Sequence, residues 1–206
     1  MTIALLDYGA GNVPSVERAL QKLGATSRRA TQPEGLAGAS AIVLPGVGHY
    51  AAIIRSLDSR CLRAPLLEAV GRGVPFLGIC LGLQALYSCS EEAPALRGLD
   101  VFAGSVKSLP PIAKLPHMGW NRLRIRKPSP LLEGINETDY FYFAHSFAAT
   151  NPTDDVVAFC DYGAPFAAVL QRENIFATQF HPEKSGAAGA RLLHNFLRLA
   201  AMRRPA

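Results

Sequence analysis

The sequence has only four cysteines, Cys61, Cys80, Cys89 and Cys160, and they form neither a CxxC pair nor a zinc-ligand spacing. That excludes a zinc ribbon and leaves no disulfide framework. Long apolar runs are missing as well. No stretch approaches the ~20 apolar residues of a membrane-spanning helix. The opening run, residues 1–7, is too short and lacks the basic start of a secretory signal. These absences predict a cytosolic protein with reduced thiols and no membrane association. Charge is sparse, at 18% of residues. The net charge of +5 is scattered except at Arg28-Arg29, at Arg122-Arg124-Arg126-Lys127 and at Arg203-Arg204. No basic motif with interleaved aromatics accompanies it, so a nucleic-acid role rests on net charge alone, and no nucleic-acid partner is expected. No linker, charge block, internal repeat or low-complexity segment divides the 206 residues. A single domain over 1–206 is the expectation, and 49% hydrophobic residues suffice for its core.

Short apolar runs alternate with helical patterns through the first half. Residues 3–6, 41–44 and 74–79 read as strands. Asn12 is placed to cap a helix carrying Val13, Val16, Leu20 and Leu23 on one face, with Pro14 in its first turn. Leu66, Leu67 and Val70 belong to another helix, with Pro65 at its start, and a further helix begins near Leu81. This β-α-β-α order predicts a parallel sheet with helices on both faces. The second half is denser in strands, at 101–106, 122–125, 140–144, 156–160, 167–170 and 175–180. Arg122, Arg124 and Arg126 alternate with Leu123 and Ile125, the period of a strand with one wet face. A last helix carries Leu192, Leu193, Phe196, Leu197 and Ala200 at i, i+3, i+4 spacing. A mixed, largely parallel sheet with an antiparallel extension is expected.

Gly78-Ile79-Cys80-Leu81-Gly82 lies between a strand and a helix and resembles a nucleophile elbow with cysteine in place of serine. Flanking glycines remove Cβ atoms that would clash in so tight a turn. A helix N-terminus behind the sulfur favours thiolate over thiol. A buried structural cysteine between two turn glycines is the alternative. His181-Pro182-Glu183 follows the strand at 175–180, and in an extended segment residues i and i+2 point the same way. Glu183 can thus orient the His181 ring and stabilise its cation. Alone, that tripeptide is an ordinary loop; beside the elbow it suggests a Cys80, His181, Glu183 triad. Pro45-Gly46-Val47-Gly48 follows the strand at 41–44 and offers backbone N–H groups to an oxyanion hole, with a second donor at Leu81. The bland alternative is a Pro-Gly turn.

Together the Pro45–Gly48 loop, the Cys80 elbow and Phe180-His181-Pro182-Glu183 resemble the class I, triad-type glutamine amidotransferases. Finer motifs are similar to the glutaminase subunits of imidazole glycerol-phosphate synthase within that family. They are residues 7–12 (Asp-Tyr-Gly-Ala-Gly-Asn), Glu91-Glu92, residues 115–121 (Leu-Pro-His-Met-Gly-Trp-Asn) and the segment 180–185. The resemblance spans essentially the whole chain. It implies a three-layer flavodoxin-like α/β sheet and a heterodimer with a (β/α)8-barrel cyclase/synthase subunit of histidine biosynthesis. It also implies L-glutamine as substrate, an oxyanion hole at Val47, Gly48 and Leu81, and a pocket built from Gly46, Gln84, Glu92, His145, Ser146 and Phe147. Relatives commonly carry tyrosine where this chain has Phe147, which is therefore expected only as a pocket wall. Asn12, Met118, Trp120, Asn121 and Lys184 fall in the region that relatives place beside the synthase. Trp120 packed in the core is the competing expectation. Cys89, expected on the elbow helix, is read as structural.

The implied chemistry is attack of the Cys80 thiolate on the glutamine side-chain amide, release of ammonia through His181, and hydrolysis of a thioester. It needs no metal and no organic cofactor. Two other readings stand beside it. One is the glutaminase of another amidotransferase, such as that serving pyridoxal-phosphate synthase, from which the segment 115–121 discriminates. The other is a catalytically silent binding module on the same fold, against which the complete Cys, His and Glu set counts.

Overall fold

Ile3 and Leu5 pack on one side of the first strand, Ala4 and Leu6 on the other, and all four are fully buried. A strand apolar on both faces belongs in the middle layer of a sandwich of helices. The computed structural model describes residues 1–9, 11–111, 114–150 and 153–202, so Ala10 of the N-terminal motif and the Arg203-Arg204 tail lie outside it. The first half runs β1 (Thr2–Leu6), α1 (Val13–Lys22), β2 (Thr26–Ala30), β3 (Ala41–Gly46), α2 (Tyr50–Ser59), α3 (Arg63–Gly71), β4 (Phe76–Cys80), α4 (Leu81–Gln84) and β5 (Tyr87–Ser90). The second half adds β6 (Phe102–Ser108), β7 (His117–Arg122), β8 (Arg124–Ile125), β9 (Tyr140–His145) and β10 (Phe147–Ala149). It closes with β11 (Val156–Tyr162), β12 (Ala164–Arg172), β13 (Ile175–Thr178) and α5 (Gly186–Met202).

The main sheet has eight strands in the order β2-β1-β3-β4-β13-β12-β11-β8. Neighbours from β2 to β13 pair in parallel, and β12, β11 and β8 extend the sheet antiparallel. Val13, Val16 and Leu20 of α1 and Leu192, Leu193 and Phe196 of α5 cover the face carrying Ile3, Leu5, Val43 and Leu77. Ile53, Ile54 and Leu57 of α2 and Leu66 of α3 cover the face carrying Ala4, Leu6, Ile42 and Leu44. Two small sheets flank this core: β10-β6-β5, and a ribbon of β7 and β9. The parallel order places the chain turns after β1, β3, β4 and β13 along one edge, where open α/β sheets collect ligands.

Several expectations change in detail. The helix after Cys80 is a single turn. The carbonyls just past its end, which a longer helix would use, are taken by a returning loop: Leu99 N donates to Ala85 O at 2.7 Å and Val101 N to Leu86 O at 2.8 Å. Gly98 permits that approach, since a Cβ there would lie 1.9 Å from Tyr87 O. Cys89 is consequently on strand β5, opposite Ser105 of β6, and not on the elbow helix. Residues 122–125 are not one strand: Arg122 closes β7 while Arg124–Ile125 join the main sheet as β8. The alternation itself persists, with Leu123 buried between exposed Arg122 and Arg124. Helix α3 begins two residues before Pro65, which remains within its first turn. Asn12 takes the N-cap position of α1 but makes no side-chain cap; its carbonyl accepts from Ser15 N at 3.1 Å and Val16 N at 3.3 Å.

Candidate active site

Cys80 ends β4 with φ 54° and ψ −106°, a combination outside the regions open to a residue with a Cβ. Three glycines make the turn sterically possible. A Cβ on Gly82 would lie 2.0 Å from Leu44 O, one on Gly78 would lie 2.8 Å from Gly82 O, and one on Gly46 would lie 2.6 Å from Leu81 Cβ. Each is a contact with backbone or a packed side chain that cannot yield. The elbow is therefore locked between β3 and β4, and the Cys80 sulfur sits at the N-terminal end of α4.

β13 runs parallel to β4 with Thr178 opposite Ile79, so the residues that follow the two strands emerge together. His181 and Glu183 arrive this way. His181 N donates to Tyr142 O at 2.9 Å and Ser185 Oγ donates to His181 O at 2.6 Å, which pins the loop to β9. Close packing of α5 against the turn depends on Gly189, where a Cβ would lie 2.0 Å from Pro182 O. The His181 Nδ1–H donates to Glu183 Oε1 at 2.9 Å, with both side chains almost fully buried. Its other ring nitrogen is free for Cys80. Burial by itself pushes the imidazole down, but the neighbouring Cys80 sulfur and the Glu183 carboxylate outweigh it and raise the group to about 10. At neutral pH the ring is then an imidazolium, poised to give up a proton.

A cavity of about 220 Å³ opens over the sulfur. Val47, Gly48, Cys80, Leu81, Gln84 and Glu92 line one side of it, and His145, Ser146 and Phe147 line the other, with Pro116 and Met118 at the rim. Its size suits one small amino acid and not a drug-sized ligand. Gly48 has φ +93°, and the place its Cβ would occupy is open. Gly46 contributes no lining; it lets β3 approach the elbow. Gln84 Nε2 donates to Phe147 O at 2.7 Å, and Glu92 Oε2 accepts from Tyr50 N at 2.7 Å at the start of α2. A larger cleft of about 380 Å³ between α1 and α5 reaches Glu183 but neither Cys80 nor His181. No group of three metal-ligating side chains occurs among the described residues, and no helix among them is long and apolar enough to cross a membrane.

Met118 and Trp120 are 65% and 55% exposed on the outer face of the β7–β9 ribbon, so the core placement of Trp120 is excluded. Lys184 Nζ lies 5.7 Å from the Tyr142 ring centroid, and Trp120 packs edge-on against the same ring at 5.9 Å. Asn121 points the other way, as alternation requires, and donates to Asp161 O at 3.1 Å. Asn12 stands apart from this patch, after β1 at the edge shared with the site.

Three further polar residues stand around the site, none of them among the candidate site residues of the sequence. Gln179, fully buried, directs Nε2 at Cys80 Sγ at 3.7 Å. His117 lies 3.2 Å from His145 through ring nitrogens, stacked between Phe143 and Tyr162. Burial pushes His117 down to about 4 and His145 to about 3. Burial also pushes the Tyr8 hydroxyl up, with the adjacent Val47 backbone opposing it, so Tyr8 stays neutral beside the Val47–Gly48 loop. Tyr8 and His117 fall within the motif segments 7–12 and 115–121, and Gln179 stands two residues before His181.

This constellation sets an elbow cysteine and a histidine–glutamate pair together at one edge of a doubly wound sheet. The sequence profile of the family "Glutamine amidotransferase class-I" matches residues 4–200, and the chain belongs to that family. It is 49% identical over 197 residues, 96% of this chain and 98% of the relative, to "Imidazole glycerol phosphate synthase subunit HisH" of Methanothermobacter thermautotrophicus. The protein of the same description from Deinococcus radiodurans is 46% identical over 201 residues, 95% of this chain and 93% of the relative. Among solved structures, a glutamine amidotransferase superposes with a TM-score of 0.77 at 21% identity, covering 97% of this chain and 98% of the other. PurLQS from Thermotoga maritima gives 0.74 at 20% identity, covering 96% and 98%. At such identities the structural matches speak to the fold alone.

Proposed function

We propose that the chain is the cytoplasmic glutaminase subunit of an imidazole glycerol-phosphate synthase, with Cys80, His181 and Glu183 as its catalytic triad. The observation that carries this reading is the meeting of a strained, glycine-framed Cys80 with a His181–Glu183 pair on one edge of the sheet. L-Glutamine enters the cavity with its side-chain amide at the sulfur. Gln84, Glu92 and Ser146 offer polar contacts, and Phe147 and His145 form the wall. The thiolate attacks the amide carbon, and the oxyanion meets the N–H groups of Leu81 and of the Val47–Gly48 loop. As the C–N bond breaks, the His181 imidazolium gives its proton to the departing nitrogen, which leaves as ammonia. Neutral His181 then takes a proton from water, and the resulting hydroxide attacks the thioester. Glutamate leaves and the thiolate–imidazolium pair is restored. Glu183 holds the ring by Nδ1 throughout and stabilises its cation.

Ammonia released into water becomes ammonium, which has no lone pair for attack. A sealed route into a second active site avoids that loss. Met118 stands at the rim of the cavity and is continuous with exposed Trp120 and Lys184. A (β/α)8-barrel synthase docked there receives the ammonia and makes imidazole glycerol phosphate and an aminoimidazole-carboxamide ribonucleotide. In the reconstituted complex, Cys80→Ala should abolish glutamine-dependent synthesis and leave synthesis from ammonium salts intact. Retention of glutamine use by that variant would remove the triad.

A further inference from the structure

The mechanism above leaves one buried amide unused. Gln179 is fully buried, with Nε2 at 3.7 Å from Cys80 Sγ and Oε1 at 3.3 Å from Gln84 Nε2. The orientation of both amides follows from a single carbonyl. Phe147 O can only accept, and it takes Gln84 at 2.7 Å and His145 Nδ1 at 2.9 Å. Gln84 must therefore present its NH2 group there, and the second hydrogen of that group goes to Gln179 Oε1. Gln179 is left with its own NH2 group facing the sulfur. Turning Gln179 over would set two NH2 groups against each other and a carbonyl oxygen against Sγ, losing one bond and opposing a negative charge on sulfur.

The same carbonyl anchors a second chain. Because His145 Nδ1–H donates to Phe147 O, its Nε2 is bare and accepts from His117 Nδ1–H at 3.2 Å. The four side chains are buried and none is charged in this arrangement. A donor held so firmly is not a side chain that merely fills space.

We propose that Gln179 is a positioning residue for the nucleophile: its side-chain amide donates to the Cys80 thiolate and favours the anion over the thiol. This rests on the glutaminase reading of the site. A thiolate accepts a hydrogen bond more strongly than a thiol, so the contact acts selectively on the reactive form. The titratable groups around the sulfur are His181 with Glu183 behind it, and the Tyr8 hydroxyl. Gln179 adds a neutral donor that does not leave with the proton when His181 protonates ammonia. It meets the sulfur again as a thiolate when hydrolysis of the thioester expels it as the leaving group.

The test is alkylation of Cys80 by iodoacetamide in the full chain, across the thiol titration range. It is read by mass spectrometry on the peptide containing Cys80, because exposed Cys61 and half-buried Cys89 also react. Gln179→Leu should shift the midpoint up by about one pH unit, which slows labelling about tenfold below it. Gln179→Glu, nearly isosteric, should shift it further in the same direction by opposing the anion. In complex with the synthase subunit, both variants should lose glutamine-dependent synthesis and keep ammonia-dependent synthesis. A folded Gln179→Leu with the wild-type labelling profile overturns the proposal; if that variant does not fold, the same profile in Gln179→Glu does so. These outcomes leave the triad untouched, whereas a glutamine-active Cys80→Ala removes the triad whatever the labelling shows.

Discussion

At Cys80 the backbone holds a conformation that costs on the order of 1–3 kcal/mol, and the glycine contacts around it keep the turn from relaxing. The strain aims the sulfur at the cavity. His181 and Glu183 are built differently, on a loop pinned by hydrogen bonds to β9, and their roles separate under mutation. Glu183→Gln keeps a polar partner at Nδ1 and loses charge, whereas His181→Ala removes the proton carrier. The alanine variant should fall on the order of 10⁶-fold in glutaminase kcat and the glutamine variant roughly 10⁴-fold, the scale seen for the corresponding triad roles. Equal losses in two folded variants would give Glu183 a larger part than orienting. The paired histidines His117 and His145 make a prediction of another kind. Their folded values, about 4 and about 3, lie below the unfolded value of 6.5, so the unfolded chain takes up protons first as pH falls. Their contribution is complete above about pH 6.5 and is lost as pH falls toward 4 and 3. About 3 kcal/mol is at stake for His117 and about 5 kcal/mol for His145. Urea midpoints measured between neutral pH and about pH 4.5 should fall steadily, and His117→Phe should flatten the slope; a flat wild-type profile would contradict the neutral pair.

At the scale of elements, the β7–β9 ribbon serves two functions with its two faces. Phe141 and Phe143 go into the core, while Met118 and Trp120 face outward. An exposed tryptophan beside a cationic side chain and a tyrosine is the composition of an interface anchor and a poor one for a free surface. Trp120→Ala should weaken binding to the synthase by about 2 kcal/mol, some thirtyfold, by calorimetric titration. Its thermal unfolding should move little, since surface substitutions usually stay within about 0.5 kcal/mol. A large stability loss with unchanged binding would mean that the ring supports the ribbon alone. β2 shows why one element escaped sequence reading. Its residues, Thr-Ser-Arg-Arg-Ala, carry almost no apolar content, and it is an edge strand, guarded by Arg29 paired with Glu17. Helix α2 carries an apolar pattern in Tyr50, Ile53, Ile54 and Leu57, but its start has no local signal: its N-cap is a histidine and its first-turn amide is met by distant Glu92.

For the whole molecule, the proposed triad follows strands of the main sheet while the outward face that rims its cavity sits on a separate two-stranded sheet. Gly48, with φ +93° and open space around its Cβ position, allows a peptide of the oxyanion loop to rotate at low steric cost. An oxyanion donor is worth roughly 10²–10³ in rate, so a loop that withholds one until the partner is loaded would suppress idle hydrolysis. The partner's ligand must then favour the rotated state by differential binding. Glutamate production should be low in the isolated chain and rise at least ~100-fold in the complex with its ribonucleotide ligand bound. Equal rates in all states would leave the triad and remove the switch.

The sheet's parallel half, the elbow at Cys80 and the loops at Val47 and His181 were legible in the chain alone. Each is encoded locally, by β-α periodicity, by glycines where a Cβ would collide, and by an i, i+2 pair on extended chain. The sequence also marked Gln84, Glu92 and His145 through motif resemblance, without showing what they touch. That the elbow helix stops after one turn depends on distant chain, because a returning loop takes the carbonyls of Ala85 and Leu86 that would continue it. The same holds for residues 122–125, which serve two sheets, and for Asn121, which turns inward while Trp120 turns out. The Gln84–Gln179 amide chain was equally beyond sequence reading, joining residues 95 apart in sequence through one carbonyl. Polar contacts of that kind have no period and no local signature; they exist only where packing brings donors and acceptors out of water together.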